Sequence, residues 1–151
     1  MDSTKYGHYI VTDLRAPERV MARAPEYGKW AKRILWMDGN VVPGAFQMNN
    51  SWYCAPNPPD SAEQFSHRHD CDEIIGFFGS NYQDPYDLGA EIEFWIEDEM
   101  HLITSSAMIF VPANVNHCPL TLRRVDRPIF HYSVVTGHSY EYIRNEWQPE
   151  R

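Results

Sequence analysis

Phe65-Ser-His-Arg-His-Asp-Cys-Asp-Glu-Ile-Ile-Gly76 is the stretch on which the reading of this chain turns. His67 and His69 stand two apart, so on an extended strand their rings leave the same face. Glu73 follows a short polar turn, opens an apolar run, and shares a face with Ile75 and Phe77. A fourth residue comes from far along the chain: His117, in Phe110-Val-Pro-Ala-Asn-Val-Asn-His-Cys-Pro119. Three imidazoles and one carboxylate suit a borderline divalent cation such as iron, manganese, nickel or zinc. In an octahedral complex, four protein ligands leave two positions for a substrate or a water.

Outward from that stretch the chain reads as short apolar runs between turn signals. Residues 34–37 form a strand ended by Asp38-Gly39, and residues 45–54 a second, ended by the prolines of 55–60. Residues 65–69 and 74–78 read as a strand pair, and 79–89 as a polar hairpin loop. Residues 91–97 alternate charged and apolar side chains, the pattern of a strand with one wet face. Residues 107–111, 118–123 and 128–135 complete roughly eight short strands, which predicts an all-β double-sheet jelly roll or barrel. Pro17 predicts one short helix over 18–22, and Ala24-Pro25 reads as a breaker. Residues 140–147 fit either a last strand or a short helix. The expected organisation is an N-terminal segment, 1–32, and one β domain, 33–151.

Composition narrows the function classes. The 151 residues fit one domain, and 43% hydrophobic residues with five Trp, nine Tyr and seven Phe make a globular chain. The formal charge, 13 minus 21 or −8, argues against nucleic acid and anionic membranes as partners. No apolar run is long enough to span a bilayer, and the first residues lack a signal-like apolar stretch. Three cysteines without C-x-x-C spacing read as reduced thiols, and the expected location is the cytoplasm.

The histidine motifs resemble the two signatures of the cupin superfamily. The first signature reads G-x5-H-x-H-x3,4-E-x6-G, and His67, His69 and Glu73 fill its ligand positions. The second reads G-x5-P-x-G-x2-H-x3-N, and Pro112 and His117 fill it. The resemblance covers roughly residues 61–121. Ser61, Ser106 and Asn114 stand where glycines would, Thr121 where an asparagine would, and Gly79 arrives one residue early. Asn114 is a mild change, because asparagine tolerates the left-handed conformation of a turn glycine. The resemblance implies a single-domain cupin jelly-roll barrel holding one divalent transition metal (Fe, Mn, Zn or Ni), with dimerisation through edge strands. The edges expected are 34–37 and 91–97, and the expected assembly is a homodimer.

Two kinds of metal chemistry fit the ligand set. In one, the cation is a Lewis acid for decarboxylation, elimination or isomerisation of a small anionic or chelating molecule. In the other, Fe(II) and dioxygen oxidise a substrate. A third reading is a non-catalytic small-ligand binder. Among the other histidines, His131 alternates with Phe130 and Tyr132 on the strand that would close the barrel. An inward ring would make it a general acid/base or a hydrogen-bond donor beside the metal, and it is the expected catalytic residue. His101 and His138 read as exposed. Cys71 and Cys118 adjoin ligand positions but point away from them. Arg123, Arg124 and Arg127 read as a solvated basic turn, with a substrate carboxylate as the competing assignment.

Overall fold

The computed structural model describes residues 4–150. Two short helices precede the strands: α1 (Glu18–Met21) and α2 (Ala24–Tyr27). Pro17 stands at the N-terminal boundary of α1 and opens it as expected. Pro25 opens α2 instead of breaking the chain, because a first-turn proline loses no intrahelical hydrogen bond.

The strands are β1 (Ala31–Met37), β2 (Gln47–Tyr53), β3 (His67–Arg68), β4 (Glu73–Phe78), β5 (Asp87–Ile96), β6 (Glu99–Ser105), β7 (Ala107–Val111), β8 (His117–Val125), β9 (Ile129–Val135) and β10 (Ile143–Arg144). They form two five-stranded antiparallel sheets, ordered β1-β2-β9-β4-β7 and β10-β3-β8-β5-β6. This is the all-β jelly roll the turn spacing predicts. Among the described residues no helix is long and apolar enough to cross a membrane.

Alternation decides what each wall contributes to the interior. The second sheet sends Leu88, Ala90, Ile92 and Phe94 inward from β5 and Leu120 and Leu122 from β8. The first sheet answers with Ile75, Phe77, Val111 and Ile129, and Tyr27 and Trp30 pack against the cluster from the N-terminal side. Each such fully buried side chain contributes about 1.5–3 kcal/mol. The inner faces of β2 and β9 are different. There the buried residues include Gln47, Asn49, Ser51, His131 and Ser133, while Met48, Trp52, Phe130, Tyr132 and Val134 lie on the outside.

Three local expectations change and one left open is decided. Residues 65–69 and 74–78 are not a strand pair: β3 and β4 belong to different sheets, and only His67 and Arg68 are strand. Strand β6 has no counterpart in the sequence pattern, because hardly any of its residues is buried and it carries no apolar period. Strand β5, which holds the 91–97 stretch, is not an edge, since β8 and β6 flank it. The segment after residue 139 contributes the two-residue strand β10, which pairs with β3. Two turn residues behave as the motif requires. Asn114 has φ +67°, and a Cβ on Gly79 would lie 1.8 Å from the Asp87 carbonyl oxygen, so only glycine lets β5 approach there.

Candidate metal centre

The four motif residues come together, from both sheets. His67 on β3 stands directly opposite His117 on β8. His69 follows in the turn after β3, where its carbonyl accepts the Asn114 N–H at 2.7 Å. The left-handed Asn114 therefore ties the second motif's turn to the first motif's second histidine. Glu73 opens β4 on the facing sheet, paired with Val111 on one side and Val135 on the other. His69, Glu73 and His117 are at most 3% exposed.

Each imidazole is oriented by a backbone carbonyl on its Nδ1. His67 Nδ1 lies 3.0 Å from the Phe65 oxygen, His69 Nδ1 2.5 Å from that of Glu141, and His117 Nδ1 3.2 Å from that of Val115. A neutral ring so held keeps its proton on Nδ1 and presents a bare Nε2. The three histidines offer ligand atoms within 4.8 Å of one another. Glu73 Oε1 joins them, 2.8 Å from His117 Nε2 and 3.5 Å from His69 Nε2. His67 Nε2, His69 Nε2 and Glu73 Oε1 have no other hydrogen-bond partner although buried. Convergent, buried, unsatisfied lone pairs are what a cation-binding site requires, and three histidines could hold a metal here.

The electrostatics set the protonation of the cluster's own groups. Burial and the neighbouring His117 push the His67 ring down to about 3, so it stays neutral. Burial alone would raise the Glu73 carboxyl, but hydrogen bonds and charge from His117 and His69 outweigh it and hold the group ionised, well below the usual range. Burial also opposes a charged His69, yet Glu73 and the Glu141 carbonyl raise its pKa. A proton shared between Glu73 and an imidazole is thus the natural competitor of a metal ion.

Several supporting residues lie beyond what the sequence reveals. Ser133 Oγ donates to Glu73 Oε2 at 2.6 Å, which leaves Oε1 free for the cluster. The C-terminal segment crosses the site as a strap. Tyr140 packs its ring 4.8 Å from His69, Tyr142 sets its edge 5.4 Å from His67, and Glu141 supplies the His69 acceptor. Farther on, Gln148 bonds both the N–H and the C=O of Ser66. None of this has a sequence signal, because each contact depends on where a distant segment returns. A surface cavity of about 550 Å³ is lined by Gly39, Asn40, Pro43, Gly44, His138 and Ser139 and touches none of the site residues.

His131 points into the barrel. Its ring is stacked between Tyr53 at 4.6 Å and Phe77 at 5.3 Å, and Nδ1 lies 3.2 Å from the Gly76 carbonyl. Burial pushes it down to about 4. It pairs with Phe77, whereas Glu73 pairs with Val135, so the two lie about 13 Å apart along the strands. His101 and His138 are exposed. Arg123, Arg124 and Arg127 pair with Glu91, Glu93, Asp126 and Asp87 at the surface. Cys118 is a buried free thiol whose pKa burial raises, and Cys71 is half-buried.

No family model and no curated protein sequence matches this chain. Solved structures do. An uncharacterised protein with a double-stranded β-helix domain from Klebsiella pneumoniae superposes with a TM-score of 0.51 at 10% identity, covering 89% of this chain and 91% of that one. A cupin 2 domain-containing protein from Halorhodospira halophila gives 0.48 at 12%, over 81% and 72%. The chain has the cupin fold. A recombinant oxalate oxidase in complex with glycolate shares this fold, with a TM-score of 0.50 at 11% identity over 90% of this chain. The chain spans 63% of that oxalate oxidase's length and 53% of another's.

Proposed function

We propose that this cupin is a metal-dependent enzyme. Its divalent cation would be held by His67, His69, Glu73 and His117, and its substrate would be a small anionic or chelating organic molecule. The observation that carries the reading is the convergence of the three Nε2 lone pairs and Glu73 Oε1 with every Nδ1 already committed to a carbonyl. When bound, such a cation supplies Lewis-acid polarisation of a carboxylate or enolate, the chemistry of decarboxylation, elimination or isomerisation. Three neutral imidazoles and one carboxylate leave a divalent centre near +1, which favours an anionic ligand despite the acidic exterior. Ser133 holds Glu73 by one oxygen, and the strap residues Tyr140 and Tyr142 screen the imidazoles from water.

For His131 we propose an acid/base role in a narrowed form. Neutral at pH 7 with its proton on Nδ1, it would serve through Nε2 as an acceptor, not as a cationic donor. Its inward ring supports this. We also propose a homodimer, joined through the outer face of the first sheet.

Elemental analysis of the purified protein and of His69→Ala tests the ligand assignment. About one first-row divalent metal per chain in the wild type, and little in the variant, is expected. Equal metal content in both would overturn it. Turnover of candidate carboxylates that requires dioxygen would move the chemistry to an oxidase. Metal uptake with tight ligand binding but no turnover would make the protein a binder.

A further inference from the structure

Six buried side-chain polar atoms have no hydrogen-bond partner among the described residues. Three belong to His67, His69 and Glu73, and one to Asn116. The other two are both polar atoms of a single side chain, the carboxamide of Gln47, which is fully buried. A primary amide offers two donors and an acceptor, and burying it unpaired is unfavourable.

Its place in the sheet points to what could satisfy it. Gln47 pairs with Val135, and Val135 pairs with Glu73. Gln47 therefore stands in the ligand's own row on the inner face, two strands away, with about 10 Å between the two Cα atoms. Val135 between them has no polar side-chain atom. The rest of this polar wall is already satisfied. Asn49 accepts from Arg33, Ser51 from Tyr27, Ser133 bonds Glu73, and His131 meets the Gly76 carbonyl. The unpaired end of the wall is the end beside the metal ligands.

We propose that Gln47 reads the exogenous ligand on the metal. Its Nε2 donates to an oxygen of a metal-bound small carboxylate, and its Oε1 accepts from that ligand's hydroxyl or from a bound water. The proposal rests on the metal-centre reading above and adds the residue that selects what the centre accepts. An amide suits this role because it binds an anion without adding a charge that would compete with Glu73 for the cation.

The experiment uses Co(II) as the metal and acetate as the ligand, both followed in the visible spectrum of the cobalt protein. Wild type, Gln47→Leu, Gln47→Met and Gln47→Glu are compared. Co(II) affinity of Gln47→Leu and Gln47→Met should equal that of wild type, which also reports that they fold. Acetate should bind those two about 10–100-fold more weakly, as for loss of one hydrogen bond to a charged group. Gln47→Glu should keep Co(II) and bind acetate more weakly still, through like-charge repulsion. Acetate affinity unchanged in the apolar variants, or no acetate binding to cobalt-loaded wild type, overturns the proposal for Gln47 alone. Wild type that takes up no Co(II) overturns the metal reading and this proposal with it.

Discussion

At the scale of single residues, the cluster holds each imidazole by its Nδ1 and Glu73 by its Oε2, and leaves the other ring nitrogens and Oε1 facing one another. Ser133 is the clearest case, because it holds Glu73 Oε2 and so aims Oε1. Removing it leaves a buried carboxylate oxygen without its donor and a carboxylate free to rotate. Ser133→Ala should lower metal affinity about 10–100-fold, measured by competition with a chromophoric chelator. Unchanged affinity would mean that the His117 contact alone orients Glu73. His131 permits a pH prediction. Its ionisation is lowered from 6.5 to about 4 by burial. The unfolded chain therefore binds more protons between those values, and stability present above pH 6.5 is lost as the pH falls toward 4. Between pH 7 and pH 5 this group alone should cost about 2 kcal/mol. His131→Phe keeps an aromatic between Tyr53 and Phe77 and removes the titration. Urea unfolding of the metal-free proteins at the two pH values should show the variant losing less stability than the wild type. Equal losses would count against a buried, neutral His131.

At the scale of elements, the strap and the histidine turn depend on each other. β10 pairs with β3, Glu141 orients His69, and Gln148 bonds Ser66 just before β3. Deleting residues 139–151 should therefore leave most strands formed, yet weaken metal binding by at least about tenfold. Circular dichroism with a metal titration would check it, and native affinity in the truncated chain would show the strap to be dispensable. This element explains where sequence reading succeeds and stops. The four clustered residues are legible because the motifs they resemble keep them at fixed offsets, and β7 is legible to the residue because apolar runs bounded by turns mark strands. The strap is not, since its contacts lie more than 70 residues away in sequence, as between Glu141 and His69. Strand β6 escapes because an edge strand with little burial has no period to detect. Gln47 escapes for the opposite reason. On β2 the alternation sets Gln47, Asn49 and Ser51 against Met48 and Trp52, and hydropathy alone would turn the polar set outward. The barrel does the reverse, because polar groups line the inner side of that wall and the apolar ones lie outside.

At the scale of the molecule, that inversion leaves two unlike exteriors. The outer face of the second sheet is charged and internally paired, with Arg123 and Arg124 meeting Glu91 and Glu93. The outer face of the first sheet carries Met48, Asn50 and Trp52 from β2, Phe130, Tyr132 and Val134 from β9, Ile74, Gly76 and Phe78 from β4, and Met108 and Phe110 from β7. None of these is charged, in a chain whose residues are 23% charged; the one charge on this face among the described strand residues is the exposed Lys32 of β1, opposite Trp52 at its margin. Met108 is 67% exposed, Phe110 60%, Ile74 40% and Trp52 37%. Tyr132 lies flat over Gly76, where a Cβ would meet its ring at 2.4 Å, so the face is smooth. Strand and residue spacings give the patch roughly 400 Å², within the ~300–600 Å² of the largest apolar patch on a typical monomer, which is often functional. That is about half of the ~800 Å² each partner buries in a standard complex, the rest being polar rim. With a net charge of −8, two copies repel over most of their surfaces, and this face, free of acidic residues on β2, β9, β4 and β7, is where they can close on a two-fold axis. Light scattering at micromolar concentration should give twice the 17.7 kDa chain mass. Met108→Lys combined with Phe110→Lys should return the monomer mass with metal content unchanged, because both side chains leave the barrel on the side away from the histidines. A wild type that runs at 17.7 kDa would remove the dimer and leave this face to another partner.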